Sequence, residues 1–138
     1  MPVLEQVLEK NPNQVKLVFK NFPLRNHKSA MPAAIAALAA EKQGKFWEFH
    51  DLLFKDYNRL NEQKIKEIAQ QLNLDMEKFE KDRKDPRIRA MINRDLSEGN
   101  RAGVRGTPTV FINGRLLRNR NPAGFQELIE KALKKPVQ

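Results

Sequence analysis

The sequence predicts an α/β fold that is mostly helical. Residues 15–20 alternate along the chain as a strand does, and Asn113-Gly114 separates two short apolar runs in the manner of a β-hairpin. Residues 30–103 lie between these two strand patterns and carry apolar side chains only at helical spacing. The 138 residues are the length of one ordinary domain.

The elements before the helical block are short. Residues 2–10 are predicted to form a helix, because Pro2 suits the first helical position and the apolar residues that follow share one side. A strand of about six residues is predicted next, since Val15, Leu17 and Phe19 fall on one face of an extended chain.

Each helix of the block is predicted from an apolar stripe and a boundary signal. Five helices are expected: over 33–43 with Gly44 as its left-handed cap, over 45–55, and after Asn61, Asp75 and Asp85, the last closed by Gly99 and Gly103. Asn121-Pro122 predicts the cap and first residue of a final helix.

The stretch Val104 to Gly114, with the sequence VRGTPTVFING, predicts a hairpin with an unusual start. Residues 109–112 and 115–117 suit two strands around a type I′ turn. Pro108 stands where the first strand opens, and a proline there removes one ladder hydrogen bond. This position therefore requires a reason beyond the hairpin itself.

Composition excludes several kinds of site. The chain has no cysteine, which excludes disulfides, thiolate metal sites and a cysteine nucleophile. His27 and His50 are the two histidines and lie far apart in sequence, so no metal site is expected, and His50 is interpreted as a partly buried structural residue on an apolar helix face. No cofactor motif, membrane-spanning run or signal peptide pattern is visible.

The positive charge is concentrated in one part of the sequence. The chain has a net charge of +9, and residues 81–120 contain eleven basic and four acidic residues. Such a segment could attract acidic partners or nucleic acid. Aromatic residues are not interleaved with these arginines, so a solvated helix face and a basic hairpin are favoured over nucleic-acid binding.

Three stretches of the chain resemble the DsbA-like branch of the thioredoxin superfamily, the thiol–disulfide oxidoreductases of the bacterial envelope. The resemblance covers nearly the whole chain and rests on PVLEQVLEKNPNQVKLVFKNFPL, AAIAALAAEKQGKFWEFHDLLF and GVRGTPTVFINGRLL. It implies a thioredoxin-like part over 1–29 and 104–138 with an inserted helical domain over 30–103. It also implies a periplasmic or envelope location.

The resemblance assigns a role to the loop before the hairpin. By family likeness the peptide bond between Thr107 and Pro108 is expected to be cis, and Gly106, Thr107 and Pro108 are expected to bind an extended substrate peptide. That role would explain why a proline opens the strand.

The chain departs from the family at the catalytic motif. Members carry a strand and a Cys-x-x-Cys segment ahead of the first helix, whereas this sequence shows neither. The resemblance therefore predicts no catalytic residue and no redox activity. The missing first central strand would leave edges exposed on both neighbours, so we expect either that those strands pair directly or that a homodimer forms by exchange of elements or strand pairing.

Three functions remain open from the sequence. The first is a DsbA-like oxidoreductase whose catalytic segment is not in this chain, which the reading frame upstream of Met1 would test. The second is a non-catalytic form that binds peptides through the loop. The third is a basic module for polyanions.

Overall fold

The computed structural model describes residues 2–25 and 27–134. Its elements are α1 (Pro2–Lys10), α2 (Ala30–Glu41), α3 (Phe46–Lys55), a 3-10 turn (Tyr57–Arg59), α4 (Glu62–Gln71), α5 (Met76–Arg83), α6 (Pro86–Arg101), β1 (Phe111–Ile112), β2 (Arg115–Leu116) and α7 (Pro122–Lys134). The prediction of a mostly helical chain is confirmed.

The chain divides into two compact units. The helical unit spans Lys20–Arg105, and the hairpin unit combines Met1–Phe19 with Gly106–Gln138. The sequence-based boundaries at 29/30 and 103/104 stay a prediction.

The helical unit is built around an alanine-rich helix. Helix α2 packs against α3, α4, α5 and α6, and its alanines are mostly buried. The small side chains of α2 let the neighbouring helices approach it closely. The largest fully buried side chains of the core belong to those neighbouring helices. Phe49 and Phe79 are fully buried with ring centroids 5.8 Å apart, and Ile65 and Ile92 are fully buried as well.

Side chains cap the helices of this unit as the sequence predicts. The carboxylate or amide oxygens of Asn61, Asp75 and Asp85 accept main-chain N–H bonds two or three residues further on, over 2.8 to 3.1 Å. Gly44 has a φ of +74°, which suits the left-handed turn after α2.

A buried carboxylate anchors the start of the helical unit. Asp95 Oδ2 accepts hydrogen bonds from the main-chain N–H of Asn21 at 2.9 Å and from its Nδ2 at 3.0 Å. Asn21 is 6% exposed and Asp95 9%, so water cannot readily replace either bond. Gly99 lies inside α6 rather than closing it, and the ring of Phe22 occupies the space that a Cβ at this position would need.

In the hairpin unit, two helices and a short hairpin share a small core. Helices α1 and α7 pack together, and the buried residues of this core are Val7, Leu117, Phe125 and Ile129. Strands β1 and β2 are antiparallel, and Asn113 and Gly114 have φ values of +47° and +80°. The predicted type I′ turn agrees with these two positive angles.

The predicted strand over residues 15–20 is wrong for the described chain. The sheet within the described residues contains only β1 and β2, so the expected direct pairing of 15–20 with the hairpin is also wrong. An alternating pattern supplies the faces of a strand, but a strand forms only where a neighbour accepts its hydrogen bonds. The hairpin strands are also shorter than expected, with β1 over Phe111–Ile112 and β2 over Arg115–Leu116.

Candidate functional site

The loop before β1 is held at two carbonyl oxygens. Thr109 Oγ1 donates to the carbonyl of Gly106 at 2.7 Å, and the guanidinium of Arg120 donates to the carbonyl of Pro108. The Thr107–Pro108 peptide bond is cis. The residue between the two anchored carbonyls, Thr107, is therefore fixed by its neighbours.

The main chain of Thr107 has no hydrogen-bond partner among the described residues. Thr107 and Pro108 are exposed and Gly106 is half-buried. Among the residues that the structure describes, none forms a hydrogen bond with the N–H or the carbonyl of Thr107. Apart from its two chain neighbours, no described residue has an atom within 4 Å of the position that a Cβ on Gly106 would take, so the space on that side of the loop is open. Thr107 thus has an unpaired N–H donor and an unpaired carbonyl acceptor among the described residues, between two anchored neighbours.

Sequence reasoning did not identify Arg120 as part of this loop. Arg120 lies twelve residues after Pro108 and is exposed, so in sequence it resembles the other arginines of the basic segment. Its distinguishing feature is that the hairpin turns the chain back and brings residue 120 beside residue 108. No sequence pattern would have separated it from Arg118.

Part of the charge of the basic segment is paired locally. Arg83 pairs with Glu62 and Glu80, and Arg87 pairs with Asp85, so part of its charge is neutralised inside the helical unit. Its remaining members are divided between the two units, with Arg115, Arg118 and Arg120 in the hairpin unit. This arrangement gives no support to a nucleic-acid site.

His50 is buried in the helical unit, as the sequence predicts. Its side chain is 8% exposed, its Nδ1 lies 3.3 Å from Asp51 Oδ1, and its ring centroid is 4.5 Å from that of Phe54. Burial lowers the pKa of His50, and Asp51 opposes this shift. Within the described chain, no group of three or more metal-ligating side chains comes together.

These features agree with a thioredoxin-like fold that is mostly helical. A thioredoxin family model matches residues 2–131, and the chain belongs to this family. The resemblance to DsbA-like oxidoreductases is confirmed by this family model taken together with the similar structures and sequences. A thioredoxin-like oxidoreductase from Silicibacter pomeroyi superimposes with a TM-score of 0.88 at 28% identity, covering 99% of this chain and 78% of that one.

A second solved structure agrees in fold. The thiol-disulfide exchange protein alpha-DsbA2 from Wolbachia pipientis has a TM-score of 0.82 at 22% identity and covers 95% of this chain and 72% of that one. At this identity the likeness concerns the fold alone.

Similar sequences occur in two kinds of protein. A Na(+)/H(+) antiporter NhaA 3 of Salinispora tropica is 37% identical over 115 residues, which are 83% of this chain and 17% of the antiporter. A probable disulfide bond formation protein D of Bacillus anthracis is 30% identical over 139 residues, covering 95% of this chain and 63% of that protein. The chain thus spans less than two thirds of either relative. In the described part of this chain, no helix is long and apolar enough to span a membrane.

Proposed function

We propose that this chain is a DsbA-like domain that binds extended polypeptide segments at residues 106–108 and carries out no thiol–disulfide exchange by itself. The observation that carries the proposal is that Thr107 is exposed and its main chain is unpaired within the described residues, between two anchored carbonyl groups. The proposal also places the domain in the bacterial envelope, as the DsbA-like resemblance implies.

The loop would recognise backbone rather than a particular side chain. An extended peptide can donate to the Thr107 carbonyl and accept from its N–H, as a strand does when it is added to an exposed edge. The two bonds contribute about 2 kcal/mol together, so we expect weak binding, with a dissociation constant in about the millimolar range or above. Weak, sequence-tolerant binding suits a domain that acts on unfolded or loosely structured substrates.

The absence of thiol chemistry follows from the residues present. Thiol–disulfide exchange requires attack by a thiolate, and this sequence contains no cysteine. The chain as it stands therefore cannot form a mixed disulfide with a substrate. Binding without exchange is the activity that its loop can support.

A matched pair of arginine variants tests the proposal. Arg120→Ala removes the donor that holds the Pro108 carbonyl, while Arg118→Ala removes the same charge from an exposed position whose side chain is not among the loop's hydrogen-bond donors. We expect Arg120→Ala to weaken binding of a reduced, alkylated, unfolded polypeptide by about three- to tenfold, and Arg118→Ala by less than about twofold.

The readout is isothermal titration calorimetry, with far-UV circular dichroism to confirm that both variants are folded. Equal weakening by the two variants would show that binding depends on charge alone and would reject the loop as the site. Wild-type protein that binds no polypeptide would reject the proposed function.

A further inference from the structure

The end of α3 and the 3-10 turn after it carry two exposed aromatic rings. Phe54 is 60% exposed and Tyr57 is 64% exposed, more than any other phenylalanine, tyrosine or tryptophan among the described residues. Lys55 and Arg59 are exposed as well, and all four residues line the same open depression of about 350 Å³. We name these four residues the aromatic–basic patch, and all of them belong to the helical unit.

The two rings of the patch are held in place by local contacts. The ring of Phe54 lies against that of His50, with centroids 4.5 Å apart. The turn that carries Tyr57 is closed by the N–H of Arg59, which donates to the carbonyl of Asp56 at 2.8 Å. A partner would therefore meet rings on ordered main chain, so little conformational freedom is lost when they are covered.

The cations of the patch have no carboxylate to pair with. Lys55 and Arg59 form no ion pair with another residue in the ranges that the structure describes. In these ranges, the only carboxylate that lines the depression is that of Asp56, whose Oδ2 lies 3.1 Å from Nζ of Lys64 on α4. The patch therefore presents a net positive charge beside its two rings.

A third cation lies close to the turn. Ser29 Oγ donates to the carbonyl of Leu60 at 2.9 Å, so the segment before α2 contacts the residue that follows Arg59. Lys28, which precedes Ser29, is exposed and forms no ion pair within residues 2–25 and 27–134. The positive charge around the patch thus comes from two segments of the chain.

The size and composition of the patch indicate the kind of partner. A stable protein–protein interface requires about 20–30 residues on each side, and single-stranded nucleic acid requires a groove that follows its backbone. The patch lies within one short segment, residues 54–59, and offers neither. The surface of an anionic bilayer requires no groove, because its phosphate groups lie directly above an apolar layer and it takes up aromatic rings at the level of the headgroups.

We propose that the aromatic–basic patch binds the surface of an anionic phospholipid bilayer, with its two rings inserted among the headgroups and its cations, together with Lys28, beside the phosphates. Binding of this kind holds a domain at a membrane surface without a membrane-spanning helix. The proposal does not depend on peptide binding at residues 106–108, because neither this loop nor Arg120 lines the depression.

The probe is a pair of sucrose-loaded vesicle preparations that are sedimented with the full chain. One is phosphatidylcholine alone, and the other contains about 30 mol% phosphatidylglycerol. Each lysine or arginine near an anionic surface contributes about fivefold to binding, so the three cations should make binding to the anionic vesicles at least about tenfold stronger. Raising the salt from about 0.05 M to about 0.3 M should remove most of this difference, because the headgroup charges are then screened.

Two matched pairs of variants test which residues bind the vesicles. Arg59→Ala should weaken binding to the anionic vesicles about fivefold, whereas Arg94→Ala, which removes the same charge from an exposed position on α6, should weaken it less than about twofold. Phe54→Ala should weaken it about tenfold, whereas Phe111→Ala, which removes an exposed ring that does not line the depression, should leave it within about twofold. Far-UV circular dichroism confirms that the variants are folded.

The proposal is overturned if the wild-type chain does not bind the anionic vesicles at about 1 mM lipid. It is also overturned if Arg94→Ala weakens binding as much as Arg59→Ala does, since the net charge alone would then explain the binding, or if Phe54→Ala binds as the wild type does. Soluble polyglutamate that binds with the same dependence on Arg59 and Phe54, without any binding to vesicles, would assign the patch to an acidic polypeptide and reject a bilayer.

Discussion

The buried carboxylate of Asp95 gives the sharpest test of how the helical unit is held together. Its Oδ2 accepts two hydrogen bonds from Asn21, one of them from a main-chain N–H that cannot rotate to find another acceptor. Asp95→Ala deletes the acceptor and leaves this donor buried without a partner. We therefore expect a loss of stability well above that of a surface substitution.

The magnitude follows from the two bonds. A buried N–H left unsatisfied costs about 1–3 kcal/mol, and loss of the second bond, from Asn21 Nδ2, adds about 1 kcal/mol. The expected change in the free energy of unfolding is about 3 kcal/mol. Asp95→Asn keeps one oxygen that can accept both bonds, so its expected change is only about 1 kcal/mol.

Urea denaturation followed by circular dichroism measures the effect. With a slope of roughly 2 kcal/mol per molar urea, Asp95→Ala should lower the midpoint by about 1.5 M. Glu98→Ala is the matched control, because Glu98 Oε2 lies 3.5 Å from Lys20 Nζ but the residue is exposed. This substitution should change the midpoint by less than about 0.3 M. If the midpoint of Asp95→Ala also lies within about 0.3 M of wild type, the buried hydrogen bonds of Asp95 do not stabilise the helical unit as argued.

Three further substitutions give distinct results. Gly124→Ala would place a Cβ 2.0 Å from the main-chain oxygen of Asn119, so the free energy of unfolding should fall by about 3 kcal/mol in urea denaturation. Asn61→Ala removes the 2.8 Å bond to the N–H of Lys64 and should lower it by about 1 kcal/mol in the same assay, with an unchanged midpoint counting against the cap. The pKa of His50 is lowered from 6.5 by burial, so the unfolded chain binds more protons below that pH and stability should fall as pH decreases from 7 to 5. Urea midpoints at the two pH values should show that decrease in wild type and a smaller one in His50→Gln.

Local features of the fold could be predicted from the sequence. Asn61, Asp75 and Asp85 cap their helices because each side chain reaches an N–H two or three residues away, and nothing distant in sequence is needed. The same holds for Asn113-Gly114, whose positive φ values set the hairpin turn.

Features that depend on a distant partner could not be predicted in the same way. Residues 15–20 carry a strand pattern, yet they form no strand because no neighbouring strand in the described chain pairs with them. The bond of Asp95 to Asn21 joins residues 74 apart, and an aspartate on a helix gives no sign of such a partner.

The candidate site likewise has a local part that the sequence predicts and a part that depends on a distant residue. Pro108 at the start of a strand marked the loop in the sequence, and the family resemblance gave residues 106–108 their expected role. The anchoring of the loop by Arg120 became visible only in the structure, because the hairpin brings the two residues together. The sequence therefore located the loop, while the structure showed which main-chain groups are left open.

Hydrogen exchange at the amide of Thr107 tests the proposed function most directly. This residue is exposed and its N–H has no acceptor among the described residues, so the amide should exchange rapidly in the free protein. Saturating amounts of an alkylated, unfolded polypeptide should slow its exchange at least about tenfold, because the bound peptide accepts its hydrogen bond. Exchange that is equally fast in free and bound protein, with binding confirmed by calorimetry, would contradict recognition through this loop.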